Sequence, residues 1–367
     1  MQAMTMNREQ RLRAHRFHQL HAGPAPLMLP NAWDAASARI IENAGAQAIA
    51  TTSAGMAWSL GQPDGERMSV QDLLAMCARI CRSVAVPVSV DIERGYGRDA
   101  KDTGGLVGAL LQLGVVGINI EDGTQPGTRT LSPPGELAER IACARTVAQH
   151  HDIPLFINAR IDTYVADVPM ETRYEETLKR ARAYIDAGAD GIFVPGLSDA
   201  EEIARVAGQL PVPLNVYAGY AGAPAATQLR ELGVRRISLG CGPMQSVLAH
   251  LARIAAEALS DGRYDTMGSD MLTVSEANGL FKDIDNAADV SAPHASYAGM
   301  GDGPVALLLP RGLRASGRAR PVELTTRNGL CTPAHVVAGH SAKQPAWRRL
   351  MSSLLGERSP GIRAEPR

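Results

Sequence analysis

Two rhythms alternate along this chain. Short apolar runs that close on polar residues read as buried parallel strands, and the longer stretches between them return an apolar residue every three or four positions, as amphipathic helices do. Strands are predicted over residues 26–32 (PLMLPNA), 47–53 (QAIATTS), 84–91, 115–121 (VVGINIE), 154–162 (PLFINARID), 190–196 (DGIFVPG), 212–219 (VPLNVYAG) and 235–240 (RRISLG). Helices are predicted from Asp34 to Gly45, Ser69 to Ser83, Lys101 to Leu113, Glu136 to Gln149, Glu171 to Ala187, Ser198 or Asp199 to Gln209, Pro224 to Leu232, and onward from Pro243. A long loop separates the second strand from its helix, and residues 1–22 read as a helical lead-in carrying Leu12, Phe17 and Leu20.

Four junctions share one phrase: AGAQAIA, LGVVGIN, AGADGIF and LGVRRIS each place a helix-ending glycine just before a strand. Eight strand–helix units in about 240 residues match the size of a (β/α)8 TIM-type barrel. An open doubly wound sheet is the alternative, but it seldom needs eight regular units, and no GxGxxG follows the first strand. The barrel is expected over residues 23–288. Beyond it the rhythm stops. Residues 289–367 are rich in Pro, Gly and Arg, with one apolar run at 305–310, and are expected to form a poorly ordered extension.

Composition narrows the function classes. With 367 residues, 45% hydrophobic and 20% charged, the chain has the make-up of a globular protein with a large core. No apolar run reaches the ~20 residues of a membrane span. A net charge of −1 gives no global reason to bind nucleic acid or an anionic membrane. From Asn286 onward eleven Lys/Arg stand against five Asp/Glu, a local excess of +6, yet Tyr297 and Trp347 are its only aromatics and no nucleic-acid motif accompanies it. The five cysteines are scattered, and Cys77 and Cys81, one helical turn apart, lack a second pair to complete a zinc site. Free thiols in a reducing cytoplasm are expected.

In a barrel the reactive groups gather at the C-terminal ends of the strands. Those ends supply Asn31, Trp33 and Asp34; Thr52, Ser53 and Gly55; Asp91 and Glu93; Asn119 and Glu121; Asn158, Arg160 and Asp162; and Asn215. The opposite ends offer mostly Gly, Pro and Ala. The stretch SVDIERGYG (89–97) is the richest, because Asp91 and Glu93 share one side of an extended chain and Glu121 ends the next strand. Three neighbouring acids raise one another's pKa or hold a cation. Oxygen ligands without a histidine cluster suit Mg²⁺, or Mn²⁺, better than Zn²⁺. The competing reading pairs these acids with Arg94, Arg98 or Arg160 in plain salt bridges. Arg160 also has the planar fork that takes a substrate carboxylate bidentately. Asp122 either supports the site from behind or merely begins the next loop.

Taken together, LPNAWDAASARIIENAG, TTSAGMAWSLGQPDG, VDIERGYG, INIEDG and NARIDTY resemble the isocitrate lyase/phosphoenolpyruvate mutase superfamily, in order, over roughly residues 10–260. The resemblance implies a (β/α)8 barrel whose last helix is commonly swapped between the subunits of a homodimer or homotetramer. It implies bound Mg²⁺ and a small 2-oxo or 2-hydroxy carboxylate whose C–C or P–C bond is made or broken through an enolate-like species. It assigns Asp91 to the metal, Glu93 and Glu121 to the metal's water network, and Asp64 to a place beside substrate and metal. The backbone of Ser53, Ala54 and Gly55 is matched to the substrate's carboxylate and oxo oxygens, Arg160 to clamping and polarising it, and Asn215 and Trp33 to further contacts. Asp64, Arg160 and Glu121 are the expected catalytic groups.

One departure matters. Isocitrate and methylisocitrate lyases carry a Lys-Lys/Arg-Cys-Gly-His loop after the fourth strand, whereas residues 122–136 here read DGTQPGTRTLSPPGE, without Cys, Lys or His. Isocitrate lyase activity is therefore not expected, and Cys143 in the following helix is no replacement. Glycines, prolines and the hydroxyls of Thr124, Thr128, Thr130 and Ser132 suit a closing lid, and Arg129 suits a negative leaving group. The expected function is Mg²⁺-dependent cleavage or rearrangement of a C–C bond. The alternatives are P–C mutase or hydrolase chemistry, or a non-catalytic carboxylate-binding barrel.

Overall fold

The computed structural model describes residues 2–123 and 129–282. The extension expected at 289–367, Cys331 and the hydroxyls of Thr124 and Thr128 lie outside the described residues. The strands are β1 (Leu27–Leu29), β2 (Asn31–Ala32), β3 (Ile49–Thr51), β4 (Val88–Asp91), β5 (Gly117–Glu121), β6 (Phe156–Arg160), β7 (Gly191–Val194), β8 (Leu214–Tyr217) and β9 (Arg236–Ser238). The helices are α1 (Gln2–His21), α2 (Ala35–Asn43), α3 (Ser53–Ser59), α4 (Val70–Ser83), α5 (Ala100–Gln112), α6 (Pro134–His150), α7 (Met170–Asp186), α8 (Ala200–Gln209), α9 (Ala226–Glu231), α10 (Gly242–Asp261), α11 (Asp265–Gly268) and α12 (Val274–Gly279).

All strand pairs are parallel, in the order β1-β9-β8-β7-β6-β5-β4-β3-β2. β1 pairs with β9 and β2 with β3; Pro30 between them has no N–H to continue the ladder. The two segments are consecutive halves of one strand, so the ring closes as the eight-stranded barrel that the sequence predicts. Asp34, Ser69, Asp99 and Asp199 each cap a helix by accepting a backbone N–H three residues on. The four junction glycines, Gly45, Gly114, Gly188 and Gly233, have φ of 100, 93, 110 and 92°, the left-handed conformation that ends a helix without steric cost.

Two elements depart from the expected pattern. The long loop after the second strand begins as α3, whose first five residues, Ser53 to Ala57, are all buried at the barrel mouth. Burial on every side leaves no amphipathic period to read. At the other end, only Met244 of the 20 residues of α10 is buried, and Val247, Leu248 and Leu251 stand exposed. Met28, in the middle of β1, is also exposed on the outside of the barrel. No described helix is long and apolar enough to cross a membrane, and the four described cysteines are free.

Helix α1 closes the N-terminal end of the barrel. Gln10 Nε2 donates to the carbonyls of Leu111 and Val115 at 2.7 and 3.0 Å. Phe17 fills the space beside Gly117, where an added Cβ would meet its ring at 2.6 Å. His21 stacks on Phe156 with ring centroids 3.9 Å apart, and its Nδ1–H donates to the Phe17 carbonyl at 2.8 Å. Burial, with the nearby Arg236 cation adding, pushes His21 down to about 3. The unfolded chain therefore takes up this proton near pH 6.5, long before the folded one does. The stability carried by neutral His21 is fully present above pH 6.5 and is lost as the pH falls toward 3. Between pH 8 and pH 4.5 the wild type should lose about 2–3 kcal/mol through this residue. His21→Phe should flatten that slope in denaturant titrations at the two pH values; an unchanged slope would refute the assignment.

Candidate active site

The mouth of the barrel brings together most of the polar strand ends read from the sequence. Asp91 ends β4 and is partly buried. Its carboxylate receives only two long backbone contacts, Ser53 N–H to Oδ2 at 3.4 Å and Glu93 N–H to Oδ1 at 3.3 Å. Among the described residues no Lys, Arg or His nitrogen lies within salt-bridge distance of it. Of the pairings in the competing reading the structure makes one, Arg160 with Glu121; Arg160 also holds Asp162, Arg94 pairs with Glu66 and Arg98 with Asp102, so none of the three reaches Asp91 or Glu93. Desolvation holds the Asp91 carboxyl above its ordinary range, with Arg160 opposing and the Asp64 charge adding. A partly buried carboxylate this short of donors has oxygens able to accept further contacts.

Glu121 and Arg160 are register partners on β5 and β6, and Arg160 Nη1 lies 2.7 Å from Glu121 Oε2. Asp162 accepts from two further donors of the fork, Nε at 2.6 Å and Nη2 at 3.0 Å. Behind it sits Asp122, 1% exposed, which settles the choice left open by the sequence. Its Oδ1 accepts the Asp162 N–H at 2.9 Å, and its Oδ2 accepts from Arg180 Nη1 and the Tyr184 hydroxyl at 2.9 and 2.8 Å. The same arginine donates to the Ser132 carbonyl, and Ser132 N–H returns to the Asp122 carbonyl. Strand end, arginine clamp and the base of the 122–136 loop thus form one hydrogen-bonded unit.

Glu93 is 5% exposed, and both its carboxylate oxygens already have donors: Glu66 N–H at 2.6 Å and the Tyr96 hydroxyl at 2.7 Å. Burial pushes its carboxyl up to about 7, against the Tyr96 hydrogen bond and with the Asp91 and Asp64 charges adding. Asp64 is exposed in the loop between α3 and α4. Ser53, Ala54 and Gly55 open α3 beside Asp91, and a Cβ on Gly55 would meet Thr52 at 2.7 Å and Trp33 at 3.0 Å. Asn215 is enclosed within the barrel and exchanges hydrogen bonds with Ser238. Arg129 pairs with Asp167 at 3.1 Å on the surface. Cys143 lies where α6 meets Gly104 of α5, away from the strand ends.

The sequence missed three contributors. Glu66 and Tyr96 enclose Glu93, and Arg236 lies wholly buried inside the barrel, where its Nη2 donates to Asn119 Oδ1 at 3.1 Å. Arg236 follows another arginine in RRISLG, and nothing in a linear reading marks it as the inward-facing one of the two.

The donor set fits a hard divalent cation. Among the described residues no three His, Cys, Asp or Glu side chains converge into a cage. Mg²⁺ does not need one, since it keeps several waters and takes one or two carboxylates together with substrate oxygens. Asp91 has the free oxygens for direct contact, and Glu121 stands one strand away to bind its water.

Residues 17–259 match the family model for phosphoenolpyruvate phosphomutase. Over 249 residues the chain is 39% identical to the uncharacterized protein Rv1998c of Mycobacterium tuberculosis (strain ATCC 25618 / H37Rv), covering 67% of this chain and 89% of that one. It is 31% identical over 267 residues to the oxaloacetate decarboxylase of Pseudomonas fluorescens (strain SBW25), covering 71% and 88%. Among solved structures it resembles 2,3-dimethylmalate lyase, a PEP mutase/isocitrate lyase superfamily member, with a TM-score of 0.65, 26% identity and coverage of 74% and 94%. The eight-stranded ring agrees with that match: the chain belongs to the phosphoenolpyruvate phosphomutase family of the PEP mutase/isocitrate lyase superfamily, an enzyme superfamily of lyases and mutases.

Proposed function

We propose that this protein is a Mg²⁺-dependent enzyme, with Mn²⁺ as a substitute, that cleaves or rearranges a C–C bond of a small 2-oxo or 2-hydroxy carboxylate. The observation that carries this reading is Asp91, a carboxylate at the mouth with no ion-pair partner among the described residues, while Arg94 and Arg160 beside it are engaged by other carboxylates. Asp91 would hold the ion directly and Glu121 through water. Bound there, the cation would supply Lewis-acid stabilisation of developing negative charge. Arg160, held in place by Asp162 and Glu121, would present its remaining N–H groups to the substrate carboxylate and to the oxygen on which charge develops. Backbone N–H groups of Ser53 to Gly55, with Trp33 beside them, hold the other end of the substrate. Asp64 stands over the mouth, and Asn215 shapes its floor through Ser238.

The 122–136 loop has no Cys, Lys or His to serve as acid or base, which disfavours isocitrate cleavage and favours oxaloacetate hydrolysis or decarboxylation or a related lyase reaction. The exposed apolar side of α10, with Met28 uncovered on the barrel, supports a homo-oligomer in which a second copy packs α10. The test is to assay purified protein with Mg²⁺ against oxaloacetate, methylisocitrate-type acids and phosphonopyruvate, to titrate oxalate by calorimetry, and to measure its mass by sedimentation. Turnover of a C–C substrate, Mg²⁺-dependent oxalate binding and a dimer or larger species are expected. Turnover of phosphonopyruvate alone would shift the reading to P–C chemistry. Weak, metal-independent oxalate binding without turnover would make the barrel a binding protein, and a monomer at micromolar concentration would exclude the packing of α10.

A further inference from the structure

Described residues with positive φ other than glycine number four, and three of them touch one another: Glu66 at 55°, Glu93 at 48° and Tyr96 at 50°. Side chains rarely adopt this conformation unless their contacts enforce it. Here the contacts are explicit. Glu66 N–H donates to Glu93 Oε2 at 2.6 Å, and the Glu66 carboxylate accepts Tyr96 N–H at 2.8 Å and pairs with Arg94 Nη2 at 2.6 Å. The Tyr96 hydroxyl completes the circuit on Glu93 Oε1 at 2.7 Å. Both partners of the ion pair are largely shielded, with side chains 30% and 13% exposed. Gly95, at φ 108°, allows the turn that aims Arg94 and Tyr96 back at the loop, and a Cβ there would meet Thr103 at 2.5 Å. Asp64 lies two residues before Glu66 in that same loop.

We infer that Glu66 is a positioning residue. It clasps the 61–68 loop to the end of β4 and so fixes Asp64 over the mouth, while Glu93 is committed to this clasp and is not available as an ion ligand. This rests on the cation-binding reading of Asp91 only for its consequence at the mouth; the clasp itself stands on contacts that involve no ion. Two backbone N–H groups, a hydroxyl and a guanidinium satisfy the two carboxylates from within the protein, and neither has an oxygen left bare.

Amide hydrogen exchange of full-length wild type, Glu66→Ala, Glu66→Gln and Glu93→Gln, together with Mn²⁺ titrations followed by electron paramagnetic resonance, tests this directly. In Glu66→Ala the amides of residues 61–68 should exchange at least tenfold faster while those of β4 keep wild-type protection, and Glu66→Gln, which retains the acceptor for Tyr96 N–H, should fall between. Glu93→Gln should loosen the same loop and weaken Mn²⁺ at least tenfold less than Asp91→Asn does. Wild-type exchange of 61–68 in Glu66→Ala would overturn the clasp. A loss of Mn²⁺ in Glu93→Gln equal to that in Asp91→Asn would return Glu93 to the ion. If wild type binds no Mn²⁺, the cation reading fails, and the exchange data still decide the clasp.

Discussion

Replacing Asp91 by Asn should abolish Mg²⁺-dependent oxalate binding and lower kcat/KM by about a thousandfold or more, while the metal-free protein melts at the wild-type temperature or above it. Lewis-acid stabilisation of a developing charge contributes several kcal/mol, and ~4 kcal/mol corresponds to ~10³ in rate. Asn keeps the shape of Asp and one of the two oxygens that accept the long contacts from Ser53 N–H and Glu93 N–H, so the local fold has little to lose. What disappears is a desolvated negative charge that Arg160 only partly offsets and that Asp64 opposes. Without the ion this charge works against the fold, and removing it shifts melting upward by about 2–4 °C for each kcal/mol gained. Loss of ligand affinity and gain of stability must therefore appear together. Retained oxalate binding, or a melting temperature that falls by several degrees, would mean that Asp91 serves packing and not the ion.

The fold was open to a linear reading because its information is local. Strand ends, helix caps and the four junction glycines each depend on a few neighbouring residues, and the structure places the caps on Asp34, Ser69, Asp99 and Asp199. The catalytic end was legible for the same reason: a barrel turns the last residues of every strand toward one mouth, so Asp91, Glu121 and Arg160 could be placed together from position alone. Long-range partners were not legible. Nothing near Arg160 in the chain indicates that Glu121 and Asp162 divide its fork between them, and nothing in LGQPDGER announces that Glu66 reaches the strand carrying Glu93. Helix α3 escaped because it is one short helix whose first five residues are all buried, which leaves no period to read. The exposed apolar side of α10 reads in sequence as an ordinary covering helix; in the structure it lacks its cover.

The largest stability effect should come from Arg180→Met. Asp122 and Arg180 have side chains 0% and 7% exposed and meet at 2.9 Å. Removing the cation alone leaves a buried carboxylate supported only by the Tyr184 hydroxyl and the Asp162 N–H. Such a loss costs about 3–5 kcal/mol, equivalent to a fall in melting temperature of roughly 6–20 °C for a domain of this size. The double variant Asp122→Leu/Arg180→Met should recover most of this, because two apolar side chains of similar volume remove both charges together and the stability of a buried pair is mainly the penalty for breaking it. Function should not recover with it. Asp122 Oδ1 is the acceptor that fixes the Asp162 N–H, and Asp162 in turn holds Nε and Nη2 of Arg160. Leu at position 122 frees that amide, so oxalate affinity should stay ~10-fold below wild type, as when an outer partner of a ligand group is removed. A double variant as unstable as the sum of its single changes would show that the two charges act independently. One that regained oxalate affinity along with its stability would show that Arg160 is held in place without help from behind.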